Sequence, residues 1–241
     1  MTTIPFIFPI IPILIWAGGI LLGGFGVAAA AGAFKDRNKN KLGILGMPAA
    51  GKTRFLSFLR NVPYKEGQTS RSPYKEFTYP LSDSKNIIIK SGVDIGGANT
   101  YRSDYNNILK ESDVILYFFD IDKYLSSSDH IEYQRNCNSR FDHIYTVIKK
   151  HNDEFRKADE AFAKDKKDAS LKEKLNNLKS KHLMVIASHK DKCSYTNIEM
   201  KRKFDDLVQS KSYKEMLKDV QFVNLTDSSE TKNLINKIFK K

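Results

Sequence analysis

Charge is missing from the first 34 residues of this 241-residue chain: they hold no Asp, Glu, Lys, Arg or His, so all 40 basic and 28 acidic residues lie in the remaining 207. The mean hydropathy of −0.45 therefore averages two unlike segments. Cysteine is scarce. Cys137 and Cys193 are too few for a disulfide framework and sit in no CxxC or Cys/His spacing, which points to ordinary reduced thiols. Histidine is scarce too, and residues 130, 143, 151, 182 and 189 form no HExxH or paired pattern, so no metal site is read from them. No aromatic-plus-basic motif accompanies the net charge of +12, so nucleic acid is not an expected partner.

What the uncharged segment does contain is an apolar run from Ile4 to Phe34, broken by Pro5, Pro9 and Pro12 and later by glycines. Proline lacks an N–H and is tolerated in a first helical turn, so a spanning helix is expected to start near Pro12. From Pro12 to Phe34 is 23 residues. At about 1.5 Å per residue that gives roughly 34 Å, enough for a hydrocarbon core of about 30 Å. Lys35, Arg37, Lys39 and Lys41 follow, whereas the N-terminal flank has only its α-amino group. That asymmetry predicts a single-pass membrane protein with the N-terminus out and the C-terminal domain cytoplasmic. A cleaved signal peptide lacks support, because the basic n-region is missing. Gly19 and Gly23 form a small-xxx-small pair that can bring two membrane helices together, and the basic flank suits anionic lipid, with Lys240 and Lys241 able to add to it. The expected layout is an anchor over 1–34, a basic juxtamembrane linker over 35–41 and one domain over 42–241.

That domain opens with GMPAAGKT, Gly46 to Thr53. LGIL before it suits a short buried strand, and TRFLSFLR after it repeats apolar residues at helical spacing. GxxxxGKT between a strand and a helix is the context of a phosphate-binding loop: glycines turn backbone N–H groups toward the phosphates, and the helix N-terminus adds partial positive charge. Lys52 would reach the β and γ phosphates, and the Thr53 hydroxyl would hold Mg²⁺. The candidate phosphate-binding residues are Gly46, Ala49, Ala50, Gly51, Lys52, Thr53 and Arg54, with Lys52 and Thr53 the catalytic candidates.

NIIIKSGVD, residues 86–94, reads as a strand ending in an acid and is followed by IGG. Asp94 is therefore a candidate Mg²⁺-side ligand, and Gly97 a candidate N–H donor to the γ phosphate. DVILYFFDID and HLMVIASHKD read as buried strands. The loop after the second carries Ser188, His189, Lys190 and Asp191, where a carboxylate can accept both the N1–H and the exocyclic amine of guanine.

GMPAAGKT, DIGG and SHKD, in this order and each at a strand end, resemble the phosphate loop, the DxxG switch and the base-recognition motif of Ras-like small GTPases. The resemblance covers about residues 41–241, and DIGG with the apolar segment is most similar to the Arf-like branch and the signal-recognition-particle receptor β subunit. It implies GTP/GDP and Mg²⁺ as ligands. It also implies a switch I threonine over the metal, for which Thr69 in EGQTSRSP fits best, Thr78 lying in an expected strand and an ordinary loop threonine remaining the alternative. A last base-contacting loop would fall near Thr226, although no SAK triplet is present. His189 stands where the family has lysine. Ala98 stands where the family has the glutamine that orients water, Asn99 is shorter and one step on, and Arg71 is the candidate for an arginine acting in cis.

The connection from Asp120 to Leu183 is about sixty residues, longer than one helix requires. Phe141, Ile144, Val147 and Ile148 fall at helical spacing, and the mixed-charge stretch beyond them reads as a solvated helical hairpin, giving an insertion at about 125–181. It is either a decorated surface loop or a partner-docking arm. The expected fold is a three-layer α/β P-loop NTPase domain with a mostly parallel sheet, preceded by one transmembrane helix. The expected function is a membrane-anchored GTP-binding switch for a protein partner engaging the switch loops or the insertion, with slow hydrolysis. A constitutively nucleotide-loaded scaffold subunit and an ATP-using P-loop enzyme are the alternatives.

Overall fold

The structure, a computed structural model, describes residues 39–67, 71–82, 85–98, 103–126, 131–178 and 181–239. Its centre is a four-stranded, wholly parallel sheet in the order β2-β7-β8-β9, formed by β2 (Leu42–Gly46), β7 (Val114–Asp120), β8 (His182–Ser188) and β9 (Gln221–Phe222). All seven residues of β7 are buried, as expected of an apolar run covered on both faces. Side chains alternate across a strand. Phe118 accordingly meets Phe55 of α1 (Lys52–Leu59) at 5.3 Å between ring centroids, while Phe119 turns the other way. There it meets Phe141 of α4 (Ile131–Lys164) at 5.4 Å and Phe204 of α6 (Asn197–Val208) at 5.6 Å. The domain is thus α/β with helices on both faces of a parallel sheet.

The 86–94 run is two strands, not one. β5 (Lys85–Ile89) pairs with β4 (Phe77–Ser82) and with β1 (Lys39–Asn40), whereas β6 (Gly92–Asp94) pairs with β3 (Ser72–Tyr74). The break falls at Lys90–Ser91. Gly92 then passes so close to Tyr74 that an added Cβ would lie 2.4 Å from its hydroxyl oxygen. The described domain also begins before Leu42: Lys39–Asn40 is a strand, and the Lys41 ammonium meets Glu111 at 2.5 Å, so the end of the expected 35–41 linker belongs to the fold.

Between β7 and β8 lie α3 (Ile121–Leu125), the 34-residue α4, and α5 (Ala169–Leu178), which packs against α4. Cys137, Arg140, Phe141, Ile144 and Ile148 form the buried stripe of α4. α2 (Tyr105–Glu111) precedes β7, and α7 (Ser228–Phe239) closes the chain.

The membrane topology is corrected. Among the described residues no helix is long and apolar enough to cross a membrane. α4 has the length, but its exposed positions are studded with Lys, Arg, Asp and Glu, and only one stripe of it is apolar. The expectation of a single-pass protein with a cytoplasmic body is therefore not upheld. The segment 1–34 on which it rested, with Gly19 and Gly23, lies outside the described residues, as do Lys35, Arg37, Lys240 and Lys241.

Candidate functional site

The C-terminal ends of the parallel strands open onto a cavity of about 580 Å³. Its walls come from residues 48–54 after β2, from Tyr64, Glu66 and Gly67, from 96–98 after β6, from Ser188, His189, Asp191 and Lys192 after β8, and from 224–226 after β9.

The loop after β2 is shaped by contact. An added Cβ at Gly46 (φ 144°) would lie 2.1 Å from Phe118 O, so only glycine lets β2 turn off the sheet there. Ala49 holds a left-handed φ of 55°, a conformation that costs a non-glycine residue about 1–2 kcal/mol. α1 then starts at Lys52 with no capping side chain and no acid in its first turn, so its N-terminal partial charge faces the cavity uncompensated by the helix itself. The Lys52 ammonium is only 5% exposed and donates to Met47 O at 2.7 Å and to Gly46 O at 3.4 Å. Burial lowers its pKa to about 8, Asp94 opposing the shift and Arg140 adding to it.

At the same end, Thr53 Oγ1 donates to Asp94 Oδ2 at 2.8 Å. Asp94 is 3% exposed, its pKa is raised chiefly by burial, and its Oδ1 has no hydrogen-bond partner among the described residues. A buried carboxylate oxygen without a donor, beside a threonine hydroxyl and an ammonium, fits a divalent cation held between protein and phosphate. Among the described residues no group of three or more His, Cys, Asp or Glu could hold a metal, so such a cation would need oxygens from a bound anion.

The loop after β8 carries SHKD, of which Ser188, His189 and Asp191 line the cavity. The Ser188 hydroxyl lies 3.0 Å from both Ala50 O and Phe119 O, tying this loop to the phosphate-loop backbone. It also lies 2.9 Å from His189 Nδ1, a hydrogen bond whose direction is set by the imidazole tautomer. His189 sits at φ 60°, 3.5 Å from Asp120 Oδ2, and burial lowers its pKa despite that neighbour. Asp191 and Thr226 line the cavity, and Thr226 is held by Asn224, which accepts from its N–H and its hydroxyl.

Not every expected residue comes to the cavity wall. Lys190 turns aside to Glu230 at 2.8 Å. Arg54 lines the cavity with its guanidinium 4.2 Å from the Tyr64 ring centre. Arg71 is exposed and off the wall, and Thr78 is an exposed β4 residue opposite Ile88. Thr69 and Asn99 lie outside the described residues. Two contributors had no motif to announce them. Arg140, 2% exposed on α4, donates to Gly46 O at 3.1 Å, Tyr105 Oη at 2.9 Å and Gly97 O at 2.8 Å, and Tyr105 Oη lies within 3.3 Å of both Gly46 N and Gly46 O. The only trace of Arg140 in the sequence is its place on the apolar stripe, between Cys137 and Phe141.

No family model and no curated protein matches this chain. Among solved structures, Era of Aquifex aeolicus, a variant bound to GDP·AlF4−, is similar with a TM-score of 0.46 at 17% identity, over 84% of this chain and 56% of that one. This chain thus spans little more than half of that protein's length.

Proposed function

We propose that this chain is a guanine-nucleotide-binding switch of the P-loop GTPase class with slow intrinsic hydrolysis. The observation that carries the proposal is that one cavity is lined both by Lys52, Thr53 and the α1 N-terminus and by Asp191 of the loop after β8. Phosphates would lie on the α1 N-terminus against Lys52, whose ammonium donates to Met47 O and Gly46 O and has no acidic partner within ion-pairing distance among the described residues. Mg²⁺ would be held by Thr53 with Asp94 behind it, where it neutralises phosphate charge. The Asp191 carboxylate would accept from guanine N1–H and the exocyclic amine, a pair of donors adenine does not present. The loop Ile95–Ala98 and residues 64–67 would carry the difference between triphosphate and diphosphate to a protein partner.

A constitutively loaded scaffold is the second reading, and one observation favours it. Gly97 packs so tightly that an added Cβ would lie 2.2 Å from Pro48 N, so its loop is already seated on the phosphate loop. The nucleotide that co-purifies discriminates: exchangeable GDP or GTP supports the switch, unexchangeable guanine nucleotide the scaffold, and an adenine nucleotide overturns both. Asp191→Asn should weaken GDP binding by a factor of about a hundred or more, the loss of two charge-assisted hydrogen bonds, while improving xanthosine diphosphate binding. Unchanged GDP affinity in that variant would remove the basis for guanine.

A further inference from the structure

Three donors converge on one carbonyl. Gly46 O receives the Lys52 ammonium at 3.4 Å, the Tyr105 hydroxyl at 3.2 Å and Arg140 Nη1 at 3.1 Å. A carbonyl offers two lone pairs, so the longest contact is the weakest, and Lys52 is anchored chiefly through Met47 O. The other nitrogen of the Arg140 fork goes elsewhere: Nη2 donates to Gly97 O at 2.8 Å. One buried guanidinium therefore joins the start of the phosphate loop to the loop after Asp94. Gly97 is fixed from its other side too, against the backbone of Met47 and Pro48.

The two loops serve different parts of a bound nucleotide, and this inference rests on the nucleotide reading above. The phosphate loop and α1 meet the phosphates common to a diphosphate and a triphosphate. The 95–98 loop adds contacts only where a third phosphate is present. We propose that Arg140 is a positioning residue that sets the spacing between these loops and so determines the preference for triphosphate over diphosphate. The planar fork is what the task requires, because two nitrogens about 2.3 Å apart in one rigid plane hold two carbonyls in fixed relation. A lysine ammonium is a single point on a flexible stem and cannot hold both. Tyr105 differs in kind: among the described residues its hydroxyl hydrogen-bonds, besides Arg140, only Gly46, so through its hydroxyl it supports the phosphate loop and not the 95–98 loop.

The test uses the full chain, stripped of nucleotide, with GDP and a non-hydrolysable GTP analogue as probes in Mg²⁺ buffer, and with melting temperatures recorded for each variant. Arg140→Lys and Arg140→Met should lose at least about tenfold in affinity for the triphosphate analogue while GDP affinity stays within about threefold. Tyr105→Phe should weaken both ligands alike and leave their ratio unchanged. A purely structural role for Arg140 predicts equal losses for both ligands, in step with the melting temperature, and that outcome overturns the inference, as does no change at all. If Arg140→Met fails to fold, Arg140→Lys, which keeps charge and length, decides the matter. Wild-type protein that bound neither probe would instead overturn the guanine reading itself, a result separable from any behaviour of the variants.

Discussion

Lys52 gives the nucleotide-free domain a measurable dependence on pH. Its pKa falls from 10.5 to about 8 because burial penalises the ammonium. Between those values the unfolded chain holds a proton that the folded chain has released, so stability rises with pH through that window. Below pH 8 the charge is buried in full, a cost on the order of 3 kcal/mol relative to the neutral amine. Cys137 acts in the opposite sense: burial pushes its thiol above the ordinary 9.0, and its contribution is lost as pH climbs past that value. Calorimetry between pH 7 and 9 should therefore show the wild-type melting temperature rising relative to Lys52→Met, whose own profile lacks this component. Parallel profiles would mean that Lys52 is not desolvated in the empty site. The same proton governs ligand binding. Above pH 8 a phosphate must recruit the proton back to Lys52, so GDP affinity should fall toward tenfold per pH unit, and a flat profile between pH 7.5 and 9 would contradict it.

Among the elements, the outer arm, α4 beyond Ile148 with α5, is what the site needs least. The buried stripe of α4 that faces the sheet ends at Ile148, and α4 runs on to Lys164, about 24 Å further at the helical rise, with α5 as its packing partner. Replacing residues 152–178 with a short Gly/Ser linker into β8 should leave a folded domain whose GDP affinity is within about threefold of the parent. Loss of cooperative unfolding would show that the arm is part of the core and not an appendage open to a partner. What could be read from the sequence follows the same local logic. Gly46–Thr53, β7 and β8 were legible because each rests on contacts within its own segment: a strand, a glycine turn, a helix start. The 86–94 run was misread as one strand because its apolar residues do not reveal that β5 pairs with β4 while β6 pairs with β3. Arg140 was invisible because its partner Gly46 is 94 positions away, and no spacing rule reaches that far. Lys190 looked like a base-loop residue, but Glu230 of α7 claims it. The expected membrane helix rests on the length, prolines and basic flank of a segment that lies outside the described residues, and no described helix offers a counterpart.

For the whole molecule, the balance between holding and hydrolysing a nucleotide follows from what stands around the terminal-phosphate end. A net charge of +12 favours capture of a polyanion at a distance. Hydrolysis needs more: a group that orients water and a charge that meets the transition state. The residue after Gly97 is Ala98, half-exposed on the cavity wall, whose methyl group can do neither. Of the described arginines near the cavity, Arg140 is occupied with Gly46 O and Gly97 O beneath the loops, Arg54 lies over Tyr64, and Arg71 is off the wall. In the proposed reading Lys52 and Thr53 would hold the phosphates and the metal without activating water. Purified protein loaded with GTP should therefore turn over no faster than an unassisted GTPase, about 4 × 10⁻⁴ per second, so that the triphosphate form persists for roughly half an hour or longer. Supplying a water-orienting amide through Ala98→Gln should raise the single-turnover rate, because the substitution adds the missing group at the wall itself. A wild-type rate on the order of 1 to 10 per second without any partner would show that one of the groups excluded above reaches the water after all, and the molecule would then be a self-timed enzyme rather than one that waits for a second protein.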